Sequence, residues 1–172
     1  MKRKDIEKKY LPEFVYGGID GAITTFAVVS GVMGAGLSSS IVLILGFANL
    51  FADGFSMAVS NYFSTKSGNE INPKNKKNEL KTSFATFISF FLIGFIPLIS
   101  FVLAAVSKNS LLIANQFSYS IILTGLALFG VGWFKGEITK NKKWKSATQT
   151  LFIGGVAALL AFVVGYLINS LI

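Results

Sequence analysis

Two aspartates stand in apolar surroundings in this chain, Asp20 within VYGGIDGAITTF and Asp53 within GFANLFADGFSMAVSNYFS. An aspartate carried to mid-bilayer costs about 2.5–3.5 kcal/mol, offset by neighbouring Ile, Val, Leu and Phe that each favour insertion by about 0.3–0.6 kcal/mol. A carboxylate kept against that penalty is a candidate for function. At helical spacing Asn49, Asp53, Met57 and Asn61 recur every fourth residue, one slowly drifting stripe of oxygen and sulfur atoms. Beside it runs Ala48, Ala52, Ser56 and Ser60, small side chains that let another helix approach closely. Together the stripes read as the wall of a pathway. The plainer alternative is an aspartate hydrogen-bonded inside a helix bundle, with the methionine as filler.

Cysteine and histidine are both absent, which excludes disulfides, thiolate catalysis and the usual zinc sites. Ion chemistry is left to carboxylates, amides, hydroxyls, carbonyls and thioethers. No lysine or arginine stands in the apolar segments to neutralise Asp20 and Asp53, so a cation is the missing partner. Carboxylates alone suit hard ions; adding the Met57 thioether shifts preference toward softer transition metals such as Fe(II). Burial favours the protonated carboxyl group, so metal entry would expel protons and couple the two flows. Thr24, one turn beyond Asp20, and Ser56 and Ser60 could add hydroxyl ligands. Taken singly, each of these hydroxyls is better read as bonding back to its own helix.

Positioning such residues takes a membrane bundle. The 172 residues are 52% hydrophobic and 14% charged, with mean hydropathy +0.62, well below the quarter charged of a soluble domain. Apolar runs near residues 15–37, 41–65, 82–106, 111–134 and 147–171 are each long enough to cross a bilayer. The expected fold is all-α, a single domain of five membrane helices. Residues 1–14 form a basic arm, helical up to Pro12 and lying at the membrane surface. A signal peptide is the alternative for this segment, but the apolar run is too long and holds Asp20. Gly17 and Gly21 make a G-x-x-x-G pair that Gly31 extends, and with Ala52 these are the expected close-packing positions. Pro97 is expected to kink the third helix.

Fifteen of the sixteen basic residues fall in the arm and in the second and fourth connections; Lys108 alone lies opposite. This asymmetry predicts a cytoplasmic N-terminus and a C-terminus on the other side. It also assigns the +8 net charge to topology and anionic lipid rather than to nucleic acid. On these bounds Asp20 lies roughly 8 Å, Met57 roughly 12 Å and Asp53 roughly 18 Å from the cytoplasmic face.

The runs YGGIDGAITTFAVVSGVMGAG and GFANLFADGFSMAVSNYFSTKS resemble the vacuolar iron transporter (VIT) family, with its Asp-Gly in the first helix and Ser-Met-Ala in the second. ATFISFFLIGFIPLISF resembles the family's third helix, proline included. The resemblance implies a five-helix protomer, a homodimer with the pathway between its copies, and export of Fe(II) or Mn(II) from the cytoplasm in exchange for protons. It matches Asp20 to the family's first-helix aspartate and Met57 to its second-helix methionine. The glycine pair Gly17 and Gly21 is the expected dimer contact. Eukaryotic members carry glutamates eight residues before and four after the methionine, where this chain has Asn49 and Asn61. Its loop after the second helix is also too short for the glutamate-rich metal-binding domain that they insert there. The implied protein is a short form.

Two further readings compete with a metal transporter that has no resident cofactor. One is a membrane scaffold in which the Asp–Asn stripe only fixes helix packing. The other is an intramembrane aspartyl protease, which also needs two aspartates. Neither aspartate has the Gly-x-Gly-Asp context of such proteases.

Overall fold

The computed structural model describes residues 3–171, with the side chains of residues 10–74 and 76–171. Met1, Lys2 and the side chains of the basic arm through Lys9 lie outside the described residues. Among the described residues six α-helices follow one another: α1 (Arg3–Gly34), α2 (Ser39–Ile71), α3 (Glu79–Gly94), α4 (Ile99–Ser107), α5 (Ser110–Ile138) and α6 (Lys143–Leu171). With α3 and α4 joined as one span, five segments are long and apolar enough to cross a membrane. The protein is an all-α multi-pass membrane protein, with no strand among the described residues.

Local chemistry sets the boundaries. The side chain of Asn78 accepts the Lys81 amide at 2.9 Å and opens α3. Asn109 caps α5 in the same way through the amide of Leu111, also 2.9 Å away. Lys108 closes α4 in the left-handed region, at φ 50°, so Ser107 to Ser110 forms a tight connection. Pro97 sits in a one-turn 3-10 segment, Ile96–Leu98, between α3 and α4. The carbonyl of Pro97 accepts the hydroxyl of Ser120 on α5 at 2.6 Å, which seats the break against a neighbour.

Pro12 does not end a helix. α1 runs through it from Arg3, with the proline ring exposed. Only the carbonyl four residues earlier loses its donor, near the start of the helix, where solvent can replace it. The basic arm and the first membrane helix are therefore one rod.

That rod is the centre of the bundle. α1 packs on α3 and α6, and more lightly on α2 and α5; α2 leans on α3, and α5 on α6. Close approach to α3 requires Gly21, where a Cβ would lie 2.9 Å from the Cα of Phe90. Farther along, Gly31 of α1 meets the backbone of α6 at Gly165. The sequence assigns Gly17 and Gly21 to a contact with a second copy, and the structure overturns this. Both glycines are buried under α3 of the same protomer, because α3 is the neighbour whose backbone needs that gap. The core they close contains Phe26, Val29, Leu50, Met57, Phe90, Leu98 and Phe101.

Candidate metal-translocation site

Asn49 fixes how α2 lies against α1. Its amide donates to the hydroxyls of Thr25 at 3.3 Å and Thr24 at 3.5 Å. The two helices run antiparallel around the short turn between them. One turn toward the N-terminal end of α1 therefore reaches Asp20, and the matching turn of α2 reaches Asp53. That register sets the two aspartates at about one level of the paired helices. On the bounds read from sequence, Asp20 would lie roughly 10 Å nearer the surface than Asp53. The earlier start of α1 removes that offset: Arg3 to Asp20 spans about 26 Å and Asp53 to Ile71 about 27 Å at 1.5 Å per residue.

Both aspartates are half-buried, and neither carboxyl group has an ion-pair or hydrogen-bond partner among the described residues. Thr24 donates to the backbone carbonyl of Asp20 at 2.8 Å, so its oxygen remains an acceptor only. Met57 follows one turn on, buried against the apolar core at 7% exposure. Asn61, one turn further, accepts from Thr65 at 3.4 Å, and Thr65 meets Thr82 of α3 at 3.0 Å.

The polar line then opens into a cleft of about 330 Å³ lined by Pro12, Glu13, Tyr16, Ser60, Asn61 and Ser64. Glu13 is only 6% exposed. One of its oxygens holds the Lys77 ammonium at 2.9 Å, and the other is buried without a partner. Asn69 clamps the Lys77 backbone on both sides, accepting its amide at 2.9 Å and donating to its carbonyl at 2.8 Å. Thus the connection between α2 and α3 delivers a lysine to a carboxylate at the foot of the aspartate line.

Ala48, Ala52, Ser56 and Ser60 are exposed, and so are Phe51, Phe55 and Phe63 beside them. Through Ala48, Ala52 and Ser56 the small stripe of α2 faces away from its own bundle, while Ser60 lines the cleft beside Glu13. Among the described residues no three acidic side chains converge on a metal-sized site. Among the described residues one protomer brings Asp20 and Asp53 together with the Asn49 amide and the Thr24 hydroxyl, and Met57 follows one turn beyond Asp53.

Residues 11–82 and 68–166 match the sequence model of the VIT family. The chain belongs to that family. It is 26% identical over 230 aligned positions to the vacuolar iron transporter of Plasmodium berghei (strain Anka), covering 96% of this chain and 84% of that one. It is 27% identical over 212 positions to vacuolar iron transporter 1 of Eucalyptus grandis, covering 87% and 83%. A shorter stretch of 70 positions is 41% identical to the vacuolar iron transporter of Toxoplasma gondii, covering 41% of this chain and 23% of that one. The two segments of the family match overlap over residues 68–82, which span the end of α2, the α2–α3 connection and the start of α3. Aligned lengths of 212 and 230 exceed the 172 residues here, so these relatives carry positions without a counterpart in this VIT-family chain.

Sequence reasoning brought Asp20, Asp53, Asn49 and Thr24 forward, and the structure gathers those four. It keeps Ser56 and Ala52 apart from them, on the outer face. What it adds is Glu13, hidden by the expectation that α1 began after Pro12. The signal was present: Glu13 and Asp20 are seven residues apart, two turns along one face of a continuous helix.

Proposed function

We propose that this chain transports divalent transition-metal ions, Fe(II) or Mn(II), out of the cytoplasm in exchange for protons, and that its N-terminus is cytoplasmic. The observation that carries this reading is the alignment of Asp20 with Asp53 at one level of two adjacent membrane helices, with no ion-pair partner for either among the described residues. Membership in a family whose relatives are named vacuolar iron transporters supports transport over proteolysis or scaffolding.

In this reading the ion enters at the cleft beside Glu13 and Asn61 and moves up the stripe past Met57 to the aspartate pair. Asn49 and Asn61 supply neutral oxygens where a more acidic site would hold metal more tightly. Two carboxylates balance one dication, and their protonation after release returns the site to neutrality. Met57 supplies the soft donor that favours Fe(II). The protein binds metal as cargo, and no resident cofactor or enzymatic step enters.

The working unit is a homodimer. Each protomer leaves the small-residue face of α2 uncovered beside a half-buried Asp53. A second copy packed there would close the pathway and bring a second set of ligands to it. The test is metal uptake into proteoliposomes loaded with a metal-sensitive dye, with internal pH followed at the same time. The expected result is Fe(II) flux well above empty liposomes, with protons moving the opposite way. Metal flux equal to that of empty liposomes would overturn transport; flux without proton movement would overturn the exchange.

A further inference from the structure

We propose a second site, for a phosphate group, between the basic ends of α5 and α6, remote from the aspartate line. Lys142 immediately precedes the 29-residue helix α6, Lys143-Trp144-Lys145 opens it, and no acidic residue stands in its first turn. Helix N-termini carry partial positive charge and unpaired amides, so lysines there repel the helix's own field and an anion is the natural complement. Glu137 answers only one of them, pairing with Lys143 at 3.0 Å. Lys135, Lys142 and Lys145 are left without a carboxylate among the described residues.

Those three lysines line one cavity of about 470 Å³, together with Asn141, Ser146 and Gln149. Ser146 is an independent sign. It is only 7% exposed, and its hydroxyl is buried with no hydrogen-bond partner. A buried hydroxyl left unsatisfied calls for a ligand or an ordered water. The cavity floor is fixed: at Gly136 of α5 a Cβ would lie 2.8 Å from the Cα of Lys143, so the start of α6 is seated directly on α5.

Ammonium groups, amides and a hydroxyl around one cavity suit a tetrahedral oxyanion with several acceptor oxygens. The position favours the headgroup of an anionic phospholipid as its source. Trp133 and Trp144 pack edge to face at 5.2 Å beside the site, with Phe129 5.5 Å from Trp144. Tryptophans of this kind mark the headgroup level of a membrane. The site would tie α5 to α6 at the end where α6, otherwise the most exposed helix, begins.

The test uses delipidated full-length protein in neutral detergent, titrated with phosphatidylglycerol, phosphatidylcholine or inorganic phosphate, and read by native mass spectrometry and by thermal melting. Phosphatidylglycerol should bind with defined stoichiometry and raise the melting temperature, while phosphatidylcholine should not. Lys142→Gln with Lys145→Gln should weaken phosphatidylglycerol binding by about thirtyfold, at the usual strength of lysine near an anionic surface. The control pair Lys74→Gln with Lys81→Gln removes the same charge from the α2–α3 connection and should leave binding unchanged. Ser146→Ala, which keeps every charge, should weaken binding several-fold. Inorganic phosphate that binds with the same lysine and serine dependence would uphold the site and make free phosphate its source. Equal weakening by both lysine pairs, or unchanged binding in Ser146→Ala and the Lys142/Lys145 pair alike, would overturn it.

Discussion

The amide of Asn49 and the hydroxyl of Thr25, 3.3 Å apart, hold α2 against α1 in the register that sets Asp53 opposite Asp20. A slip of one helical turn would separate the carboxyl groups by about 5.4 Å along the axis and dissolve the pair. Asn49, expected from the sequence to line a pathway, thus works as a strut between helices.

Asp20→Asn and Asp53→Asn should each abolish metal flux in proteoliposomes while the protein still inserts and melts as the wild type does. An amide keeps the volume and hydrogen-bonding capacity but cannot balance a dication or release a proton. Neither carboxyl group has a partner to lose among the described residues, so stability should hold. Full flux in both variants would assign the aspartates to packing alone.

Gly21→Leu and Ala52→Trp should fail in different ways. Leucine at Gly21 drives into the Phe90 backbone of the same protomer and should destabilise the fold by about 1–3 kcal/mol or more. Tryptophan at exposed Ala52 should leave the protomer's melting unchanged and convert dimers to monomers in mild detergent. Light scattering with thermal melting separates them. A dimer undisturbed by Ala52→Trp would remove the α2 face from the interface.

Lys77→Met should strand Glu13, whose other oxygen already lacks a partner. Losing one member of a buried pair costs about 3–5 kcal/mol, but Lys77 is 35% exposed, so a loss of about 1–3 kcal/mol is expected. Adding Glu13→Gln should restore most of it. A double variant no more stable than Lys77→Met would show that the pair contributes little.

A cysteine at Lys74 and one at Ser170, placed singly in this cysteine-free chain, should label from opposite sides of a sealed membrane. Both positions are exposed, at the two ends of the bundle. In the orientation proposed from the lysine and arginine asymmetry, Lys74 faces the cytoplasm. Labelling from one side only would contradict five crossings.

What the sequence made legible follows from the range of each signal. Five apolar runs are local facts, and the bilayer's thickness turns them into five helices wherever they sit. The stripe through Asn49, Asp53 and Met57 is also local, set by helical period. The partner of a stripe is not. Gly17 and Gly21 announced a close approach, but periodicity cannot say whether α3 or a second copy fills the gap. Glu13 was lost to a local rule, proline as helix breaker, that yields when the ring faces outward near a helix start. The level of Asp20 against Asp53 depended on that same start, and so was hidden with it.

Met57 is where transport and packing make the most separate demands. Its side chain lies in the core near Leu50 and Phe90 at 7% exposure, yet it stands between Asp53 and Asn61 on the polar line. Met57→Leu keeps volume and apolarity, so stability should change by less than about 1.5 kcal/mol under either role. A sulfur that touches the passing ion matters most for the softer metal, because a thioether adds little for hard cations. Fe(II) flux should then fall several-fold while Mn(II) flux falls less, measured in the same liposomes under reducing conditions. Met33→Leu, on α1 against the same core, is the control and should leave the flux ratio unchanged. A ratio unaltered by Met57→Leu would make the residue a core filler, and would leave Asp20 and Asp53 as the groups that meet the ion.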